Sequence, residues 1–301
     1  MNPHPSPPVL QRPPNCFSLV LGGGLARGAA HLGVWRALRG AQLLPERVVG
    51  VSIGAIVGAY LCKEGGRGEA LAHLQGLAQA LRSELTAKGE NIWDTWRLIS
   101  LERRRAFVEE TLGLRGLTFS ALPLPLYITA TRLLPPGRVV FGDHPTESVT
   151  EAILASTAIL THPPVRVGRH YYMDGGVSGN LPVMEAMKRG GRVILTVNLG
   201  PPIRRGRGTG GEVLWRLCRG VSGLTSLREI ERCKARGAIV LQVSSAEIES
   251  HGIFTFKKLD MVEEEGYKAT QYLLPTLREA LRRLGEEDPT ASGTQGGRGE
   301  S

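Results

Sequence analysis

The sequence predicts an α/β fold in which a mostly parallel sheet carries helices on both of its faces. Short apolar runs rich in β-branched residues alternate with segments whose apolar residues recur at helical spacing. That alternation is typical of successive strand–helix–strand units. A chain of 301 residues is long enough for one large domain with a substantial buried core.

Each element of this fold is predicted from its own segment. The predicted strands are Phe17–Leu21, Arg47–Val51, Leu126–Thr131, Arg138–Phe141, Tyr171–Met173, Val193–Leu199 and Ala238–Val243. The predicted helices are Ala29–Ala41, a helix that begins at Ile53, Glu147–Ala158 and Val183–Arg189. Because sites in such sheets form at the carboxyl ends of the strands, the residues that follow these strands are the candidates for function.

We expect one folded domain, over residues 15–285, between two disordered ends. Residues 1–14 hold six prolines and no apolar run, which is typical of a flexible arm and not of a signal peptide. Residues 286–301 begin with acidic residues and continue with Gly, Ser and Thr, which predicts a disordered tail. The longest apolar stretch, Ile53–Cys62, is too short to span a bilayer, so we expect at most peripheral membrane contact.

The net charge of +9 favours anionic partners such as phosphate headgroups and membrane surfaces, although a solvated basic surface is an equal alternative. The arginine clusters at 103–105 and 204–207 have no interleaved aromatic residues and no nucleic-acid module, which argues against nucleic acid. The four cysteines and seven histidines show no zinc-type spacing, so we predict no metal site. Scattered cysteines are also typical of a reduced, cytoplasmic protein.

The pentad from Gly50 to Gly54, GVSIG, fits the G-x-S-x-G pattern of a nucleophile elbow around Ser52. It follows a β-branched strand and precedes a helix of small and apolar residues, which is the setting the motif needs. A turn this tight leaves no room for side chains at Gly50 or Gly54. The serine then points outward at the positive end of a helix, where a developing anion is stabilised. A tight turn without catalytic function is the alternative.

The segment Gly22–Gly28, GGGLARG, follows the first strand and opens the first helix. It is not a dinucleotide fingerprint, because Arg27 stands where the third Gly or Ala is expected. It is not a phosphate-binding P-loop, because Ala29 stands where Lys is required. A run of glycine amides at a helix N-terminus still binds anions through geometry and the helix dipole. A purely structural turn is the alternative.

In an acyl hydrolase, the anion bound by this loop is the tetrahedral oxyanion. The predicted donors are the N–H groups of Gly23 and Gly24, together with that of Ile53 just after the nucleophile. Arg27 either supports the loop, attracts a headgroup phosphate or is a surface charge on the first helical turn.

A nucleophilic serine needs a base, and Asp174 is the candidate. It ends a short predicted strand, and Gly175 and Gly176 allow the backbone to turn sharply after it. An aspartate that only caps this turn is one alternative. The other is a Ser–His–Asp triad, for which His251 is the histidine that follows Asp174 in the chain.

Taken in order, GGGLARG, GVSIG and DGG resemble the patatin-like phospholipase family, particularly its bacterial and neuropathy-target-esterase-like branch. The similarity runs from about Phe17 to Gly200. Further stretches that look alike are GAAHLGVWRAL at 28–38, ITAT at 128–131, ASTAI at 155–159 and DGGVSGNLPV at 174–183.

This resemblance implies a three-layer α/β/α fold and a Ser–Asp dyad. Ser52 would attack the ester carbonyl, Asp174 would take its proton and later activate water, and the Gly22–Gly24 loop would hold the oxyanion. The implied reaction is hydrolysis of fatty-acyl esters in phospholipids or lysophospholipids, without calcium or any other cofactor. The implied partners are a lipid ester and an anionic membrane surface that the protein contacts peripherally.

The chain departs from the family pattern in two places. Residues 160–162 are Leu-Thr-His where the family usually has Pro-Gly-Phe, and Arg132 stands where Asp is usual. The first departure lies near the expected acyl pocket. The segment Asn91–Leu112, with Trp93, Trp96 and three arginines, is either a membrane-facing helix or an amphipathic packing helix.

Two other functions stay open on the sequence. One is a carboxylesterase or thioesterase that uses the same dyad on small soluble esters. The other is a catalytically silent module that binds lipid, against which the intact Ser52, Asp174 and glycine loop argue.

Overall fold

The computed structural model describes residues 16–63, 100–159, 162–200, 210–251 and 259–287. The predicted arm and tail therefore lie outside the described residues, except for residues 286–287, which end the last helix. The described chain builds one sheet of eight strands with the order β5-β6-β3-β2-β1-β7-β8, and β4 pairs with β3. The strands are β1 Ser18–Leu21, β2 Arg47–Val51, β3 Leu126–Arg132, β4 Gly137–Phe141, β5 Val165–Val167, β6 His170–Asp174, β7 Val193–Val197 and β8 Ile239–Val243.

The sheet has a parallel part and an antiparallel part that meet at β3. Strands β3, β2, β1, β7 and β8 pair in parallel, as the sequence predicts. Strands β4 and β6 pair with β3 in antiparallel fashion, and β5 pairs likewise with β6. The β3–β4 and β5–β6 pairs are antiparallel because a turn of a few residues can only return the chain as a hairpin.

Eight helices are formed in the described residues, together with single turns of 3₁₀ or π type. The helices are α1 Ala29–Gly40, α2 Ile53–Lys63, α3 Leu101–Ala106, α4 Val149–Ser156, α5 Val183–Lys188, α6 Gly210–Ala235, α7 Ala246–Ser250 and α8 Leu259–Glu287. The turns are Leu25–Gly28, Phe107–Thr111, Phe119–Ala121 and Gly175–Val177.

Helices cover both faces of the parallel part, which gives the three-layer α/β/α arrangement. Alternate strand residues point to opposite faces, so Leu19 and Val20 enter different hydrophobic clusters. The cluster around Leu19 includes residues of α1, α2 and α8. The cluster around Val20 includes Val183 of α5 and Ile230 of α6. The sequence-based prediction of fold class is thus confirmed.

The long helices α6 and α8 were not predicted from the sequence. Helix α8 packs against α1 at very short range, because glycines occupy the crossing on both helices. A Cβ atom at Gly33 would lie 1.8 Å from the carbonyl oxygen of Glu263, and one at Gly266 would lie 2.2 Å from that of Ala30. Only glycine fits such an approach of two helix backbones.

Candidate active site

Strand register on β3 brings Ser52 and Asp174 together. Val51, the last residue of β2, lies opposite Thr129, and Asp174, the last residue of β6, lies opposite Ala130. Both strands occupy the edge of β3 that β4 does not use, and they approach from opposite directions. The residues at their carboxyl ends therefore meet at two adjacent positions of β3.

Ser52 and Asp174 contact each other directly. Ser52 Oγ donates to Asp174 Oδ2 at 2.7 Å, and the two residues are only 7% and 4% exposed. The other carboxylate oxygen, Oδ1, accepts from the Gly176 amide at 2.7 Å. The Asp174 amide donates to the Ala158 carbonyl at 2.7 Å. The carboxylate is thus held with one oxygen on the backbone and the other on the serine.

The turn around Ser52 is a strained strand-to-helix connection. Ser52 has a φ of +55°, which is unfavourable for a residue with a side chain and is common at functional sites. The Ser52 amide donates to Ser156 Oγ at 2.8 Å, and that hydroxyl donates to the Thr129 carbonyl at 2.8 Å. Ser156 therefore ties the strained backbone to the adjacent strand β3.

Both flanking glycines of the pentad are sterically required. A Cβ atom at Gly50 would lie 2.5 Å from the Gly54 carbonyl oxygen, and one at Gly54 would lie 2.1 Å from that of Leu21. The same holds after the base, since a Cβ atom at Gly175 would lie 2.2 Å from the Thr129 carbonyl oxygen. These contacts explain why the two motifs need glycine.

The three carbonyls of the glycine loop each accept a hydrogen bond from inside the protein. The Gly22 oxygen accepts from His31 Nε2 at 2.8 Å, and the Gly23 oxygen accepts from Asn180 Nδ2 at 2.9 Å. The Gly24 oxygen accepts from the Arg27 amide at 3.2 Å. In a planar trans peptide, the C=O and the following N–H point in opposite directions. Holding a carbonyl on one side therefore aims the next amide toward the other side.

The loop lies beside the serine. A Cβ atom at Gly23 would be 3.0 Å from Ser52 Cβ. Within the described residues, the amides of Gly24 and Ile53 donate to no protein acceptor, which leaves both as candidate oxyanion donors. The amide of Gly22 differs, because it donates to the Val197 carbonyl at 3.2 Å. Gly22 thus shapes the loop and its amide is already bonded, a correction to its inclusion among the oxyanion-hole residues.

Arg27 is buried and binds the protein backbone. It is 1% exposed, and its guanidinium donates to the carbonyls of Leu199 and His251, each at 2.7 Å, and to that of Glu249. Of the alternatives left open for Arg27, the surface charge is therefore excluded, and support of the loop is the one observed. Gly28 lets the loop pack closely against Ile53, since a Cβ atom at Gly28 would lie 2.3 Å from Ile53 Cγ1.

The contact that a Ser–His–Asp triad requires is not formed in the described part of the chain. The hydrogen bond made by Ser52 Oγ goes to Asp174, without a histidine ring between them. His251 contributes its backbone carbonyl to the Arg27 guanidinium. The geometry therefore favours the dyad over the triad.

Sequence reasoning missed three polar residues that hold the site. Ser156 and Asn180 lie within stretches that support the family resemblance, but their contacts join positions 104 and 157 residues apart. His31 is fully buried, and burial lowers its pKa to about 4 against the opposing effect of its bond to Gly22. The ring is thus neutral, and because Gly22 offers a carbonyl oxygen, Nε2 carries the proton.

Several other sequence predictions concern the surroundings of the site. Trp93, Trp96 and residues 160–161 lie outside the described residues. In the described end of the 91–112 segment, Arg105 pairs with Glu151 of α4 at 2.6 Å, which fits a packing helix. The described residues contain no cluster suited to a metal ion and no helix long and apolar enough to cross a membrane.

Comparison with known proteins shows the family of the chain. Residues 19–187 match the family model described as patatin-like phospholipase. The chain belongs to the patatin-like phospholipase family. This match includes the glycine loop, the GVSIG elbow and the DGG turn.

Curated relatives in this family are considerably longer proteins. Patatin-like phospholipase domain-containing protein 7 of Rattus norvegicus is 24% identical over 84% of this chain, which covers 20% of that protein. A lysophospholipase of Mycosarcoma maydis is 25% identical over 86% of this chain, which covers 15% of that protein. The chain thus spans about a fifth or less of the length of these relatives.

The fold is shared with a solved structure of low sequence identity. Human GIVD cytosolic phospholipase A2 superimposes with a TM-score of 0.56 at 12% identity, and the match covers 90% of this chain and 60% of that one. The two chains therefore share a fold although few of their residues are identical.

Proposed function

We propose that this protein is a serine acyl hydrolase that cleaves fatty-acyl esters of phospholipids or lysophospholipids. The observation that carries the proposal is the buried 2.7 Å hydrogen bond from Ser52 Oγ to Asp174 Oδ2. A serine in direct contact with a carboxylate can lose its proton as it attacks, so no histidine is required.

In the proposed reaction, Ser52 Oγ attacks the ester carbonyl carbon while Asp174 Oδ2 takes its proton. The resulting oxyanion accepts hydrogen bonds from the loop amides of Gly23 and Gly24 and from the amide of Ile53. Collapse of this intermediate breaks the ester bond, and the leaving alcohol takes the proton from Asp174. The products of this half-reaction are the free alcohol and an acyl ester of Ser52.

Hydrolysis then restores the enzyme. Asp174 accepts a proton from water as that water attacks the acyl-enzyme carbonyl, and the second tetrahedral intermediate expels Ser52 Oγ. The proton on Asp174 returns to Ser52, and a fatty acid is released. Each step uses residues of this chain, and no metal or organic cofactor takes part.

A lipid ester is the proposed substrate class because the matching curated relatives include a lysophospholipase. A carboxylesterase or thioesterase acting on small soluble esters would use the same dyad. The two functions differ in their dependence on acyl length. A lipid hydrolase turns over long-chain esters above their aggregation concentration much faster than short soluble ones.

The test is labelling of the purified protein with a fluorescent fluorophosphonate. We expect wild type to be labelled, Ser52→Ala not to be labelled, and Asp174→Asn to be labelled far more slowly. Equal labelling of the Ser52→Ala variant would refute the nucleophile. Absence of labelling in folded wild type, with lipid vesicles present and absent, would support a silent lipid-binding module instead.

A further inference from the structure

Two hairpin turns project together at one end of the antiparallel part of the sheet. One joins β3 to β4 and covers residues 133–136, and the other joins β5 to β6 at residues 168–169. Arg132 lies opposite Tyr172, and the Leu133 amide donates to the Tyr171 carbonyl at 2.9 Å, so the two turns are neighbours. We name Arg132–Gly137 and Arg166–Tyr171 together the hairpin face.

The hairpin face exposes large apolar groups. Leu134 is 78% exposed and Tyr171 is 51% exposed. Pro135 and Pro136 complete the tip of the first turn and are exposed as well. An exposed leucine and an exposed tyrosine on neighbouring segments form an apolar patch, and a partner that covers this patch gains the free energy of burying it.

The charge of the hairpin face has one sign. The segments 131–141 and 163–173 contain four arginines and no acidic residue. Within the described residues, Arg132, Arg166 and Arg169 form no ion pair. The Nε atoms of Arg132 and Arg166 donate to turn carbonyls, those of Pro135 and Gly168, which leaves their positive charge uncompensated.

The fourth arginine of these segments provides a contrast. Arg138 is neutralised by Glu229 of α6 at 2.6 Å. The protein thus pairs the arginine that faces a neighbouring helix and leaves those at the turns unpaired. Uncompensated guanidinium groups around an apolar tip match the chemistry of an anionic lipid surface, since guanidinium binds phosphate and the tip enters the apolar layer.

The hairpin face lies near the proposed active site. Tyr171 precedes Asp174 by three residues on β6, which corresponds to about 10 Å at the rise of a β-strand. Both turns lie beyond the position on β3 where Ser52 and Asp174 meet. A bilayer that contacts the turns would therefore bring the ester groups of its lipids to the same side of the molecule as Ser52.

We propose that the hairpin face is the surface by which this protein docks on an anionic lipid bilayer. The inference rests on the proposed function, because only a lipid-directed enzyme needs its nucleophile beside a membrane contact. Leu134 and Tyr171 enter the interfacial layer, and Arg132, Arg166 and Arg169 bind lipid phosphates and anionic headgroups. The exposed tip of Leu134, Pro135 and Pro136 distinguishes this contact from nucleic-acid binding, because an aliphatic tip gains most by entering an apolar layer.

The experiment is co-sedimentation of the full chain with vesicles of phosphatidylcholine containing phosphatidylglycerol, and with vesicles of phosphatidylcholine alone. The apolar variant is Leu134→Ser with Tyr171→Ser, and the charge variant is Arg166→Glu with Arg169→Glu. Matched controls use the opposite end of the sheet, near the end of α1. They are Leu44→Ser, a residue 50% exposed, and Arg39→Glu with Arg278→Glu, which have the same charge change.

Each hairpin-face variant should lose at least about tenfold in affinity for the anionic vesicles, because one surface arginine contributes roughly fivefold and one buried leucine about tenfold or more. Wild-type binding should weaken as salt is added, and the control variants should bind as wild type does. Wild-type affinity in both hairpin-face variants would overturn the proposal. Equal losses in the controls would also overturn it, since net charge alone would then explain the binding.

A protein partner is the competing occupant, and the same proteins test for it. If wild type does not bind anionic vesicles but forms a dimer that the hairpin-face variants abolish, the face is a contact between copies and the proposal falls. Vesicle binding is measured separately from chemistry. If the hairpin-face variants lose vesicle binding but wild type is not labelled by the fluorophosphonate, the proposed function is refuted. The docking surface is then still supported.

The variants must retain the active site for this comparison to hold. We expect the apolar and charge variants to hydrolyse a short-chain soluble ester at the wild-type rate, and the Ser52→Ala variant to bind vesicles as wild type does. A hairpin-face variant that lost soluble-ester turnover together with vesicle binding would indicate damage to the fold. The single variants Leu134→Ala and Arg169→Gln would then replace it, and wild-type vesicle affinity in both would overturn the proposal.

Discussion

The parallel and antiparallel parts of the sheet contribute different things to the same site. The parallel part supplies Ser52 and the glycine loop, and helices cover it on both faces. The antiparallel part supplies Asp174 and ends in exposed turns. In the first, close backbone contacts leave room only for glycine. In the antiparallel part, the turns hold exposed residues such as Leu134 and glycines such as Gly168 with nothing packed against them. Substitutions in these turns should therefore affect binding at the surface more than folding.

The largest expected effect comes from removing either side chain at the junction of the two parts. We expect Ser52→Ala and Asp174→Asn each to reduce kcat/KM for a lipid ester on the order of 10⁴-fold or more, since residues that act as a unit fail together. His251→Ala should change it by less than about tenfold, because Ser52 already contacts a base. A large loss in the His251 variant with mild loss in the Asp174 variant would establish a triad.

A pair of glycine substitutions compares the two parts directly. Gly54→Ala should lower the free energy of unfolding by about 3 kcal/mol or more, because the new methyl group meets the Leu21 carbonyl at 2.1 Å. Gly168→Ala, in the β5–β6 turn, should cost only about 1–2 kcal/mol from its positive φ, because nothing lies within 4 Å of the added atom. Denaturant unfolding measures both. Similar costs would mean that the parallel part relaxes as easily as the turn.

A buried histidine makes the stability of the parallel part depend on pH. Burial lowers the pKa of His31 from 6.5 to about 4, so between these values the unfolded state binds more protons than the folded state. Above pH 6.5 the ring is neutral in both states, and His31 does not lower the free energy of unfolding. As the pH falls from 6.5 toward 4, protonation of the unfolded state lowers the free energy of unfolding by roughly 3 kcal/mol. His31→Gln should remove this part of the pH dependence. The measurement is the free energy of unfolding in urea at several pH values between 7 and 4. If it depends on pH as strongly in His31→Gln as in wild type, the prediction is contradicted.

The sequence predicted the features whose signals are local. The elbow, the glycine loop and the DGG turn are each short runs beside a strand, and their glycines have the steric causes expected of them. Strand pairing joins residues that are far apart in the chain. The sequence therefore could not reveal that the carbonyl of Val197 in β7 accepts a hydrogen bond from the Gly22 amide. The supports from Ser156 and Asn180 also depend on long-range folding. Helix α8 carries apolar residues at helical spacing, yet its partner α1 lies more than 200 residues away in the chain.

The smallest expected effect tests whether His31 positions the oxyanion loop or only fills space. His31 Nε2 holds the Gly22 carbonyl, and so orients the peptide that carries the Gly23 amide. We expect His31→Leu to lower kcat by roughly tenfold with little change in KM, which is less than the loss of a whole oxyanion donor. His31→Gln should recover most of this loss, because its amide nitrogen can donate to the same carbonyl.

The comparison of these two variants separates the hydrogen bond from packing. Both replace the ring by a side chain of similar volume, but only glutamine restores a donor to Gly22. The rate of fluorophosphonate inactivation at saturation should follow the same order as kcat, because the phosphoryl oxygen of the reagent occupies the position of the oxyanion. If leucine and glutamine are equally impaired, His31 acts through its shape. If neither is impaired, the carbonyl of Gly22 needs no partner, and the loop is held by Asn180 and the buried guanidinium of Arg27.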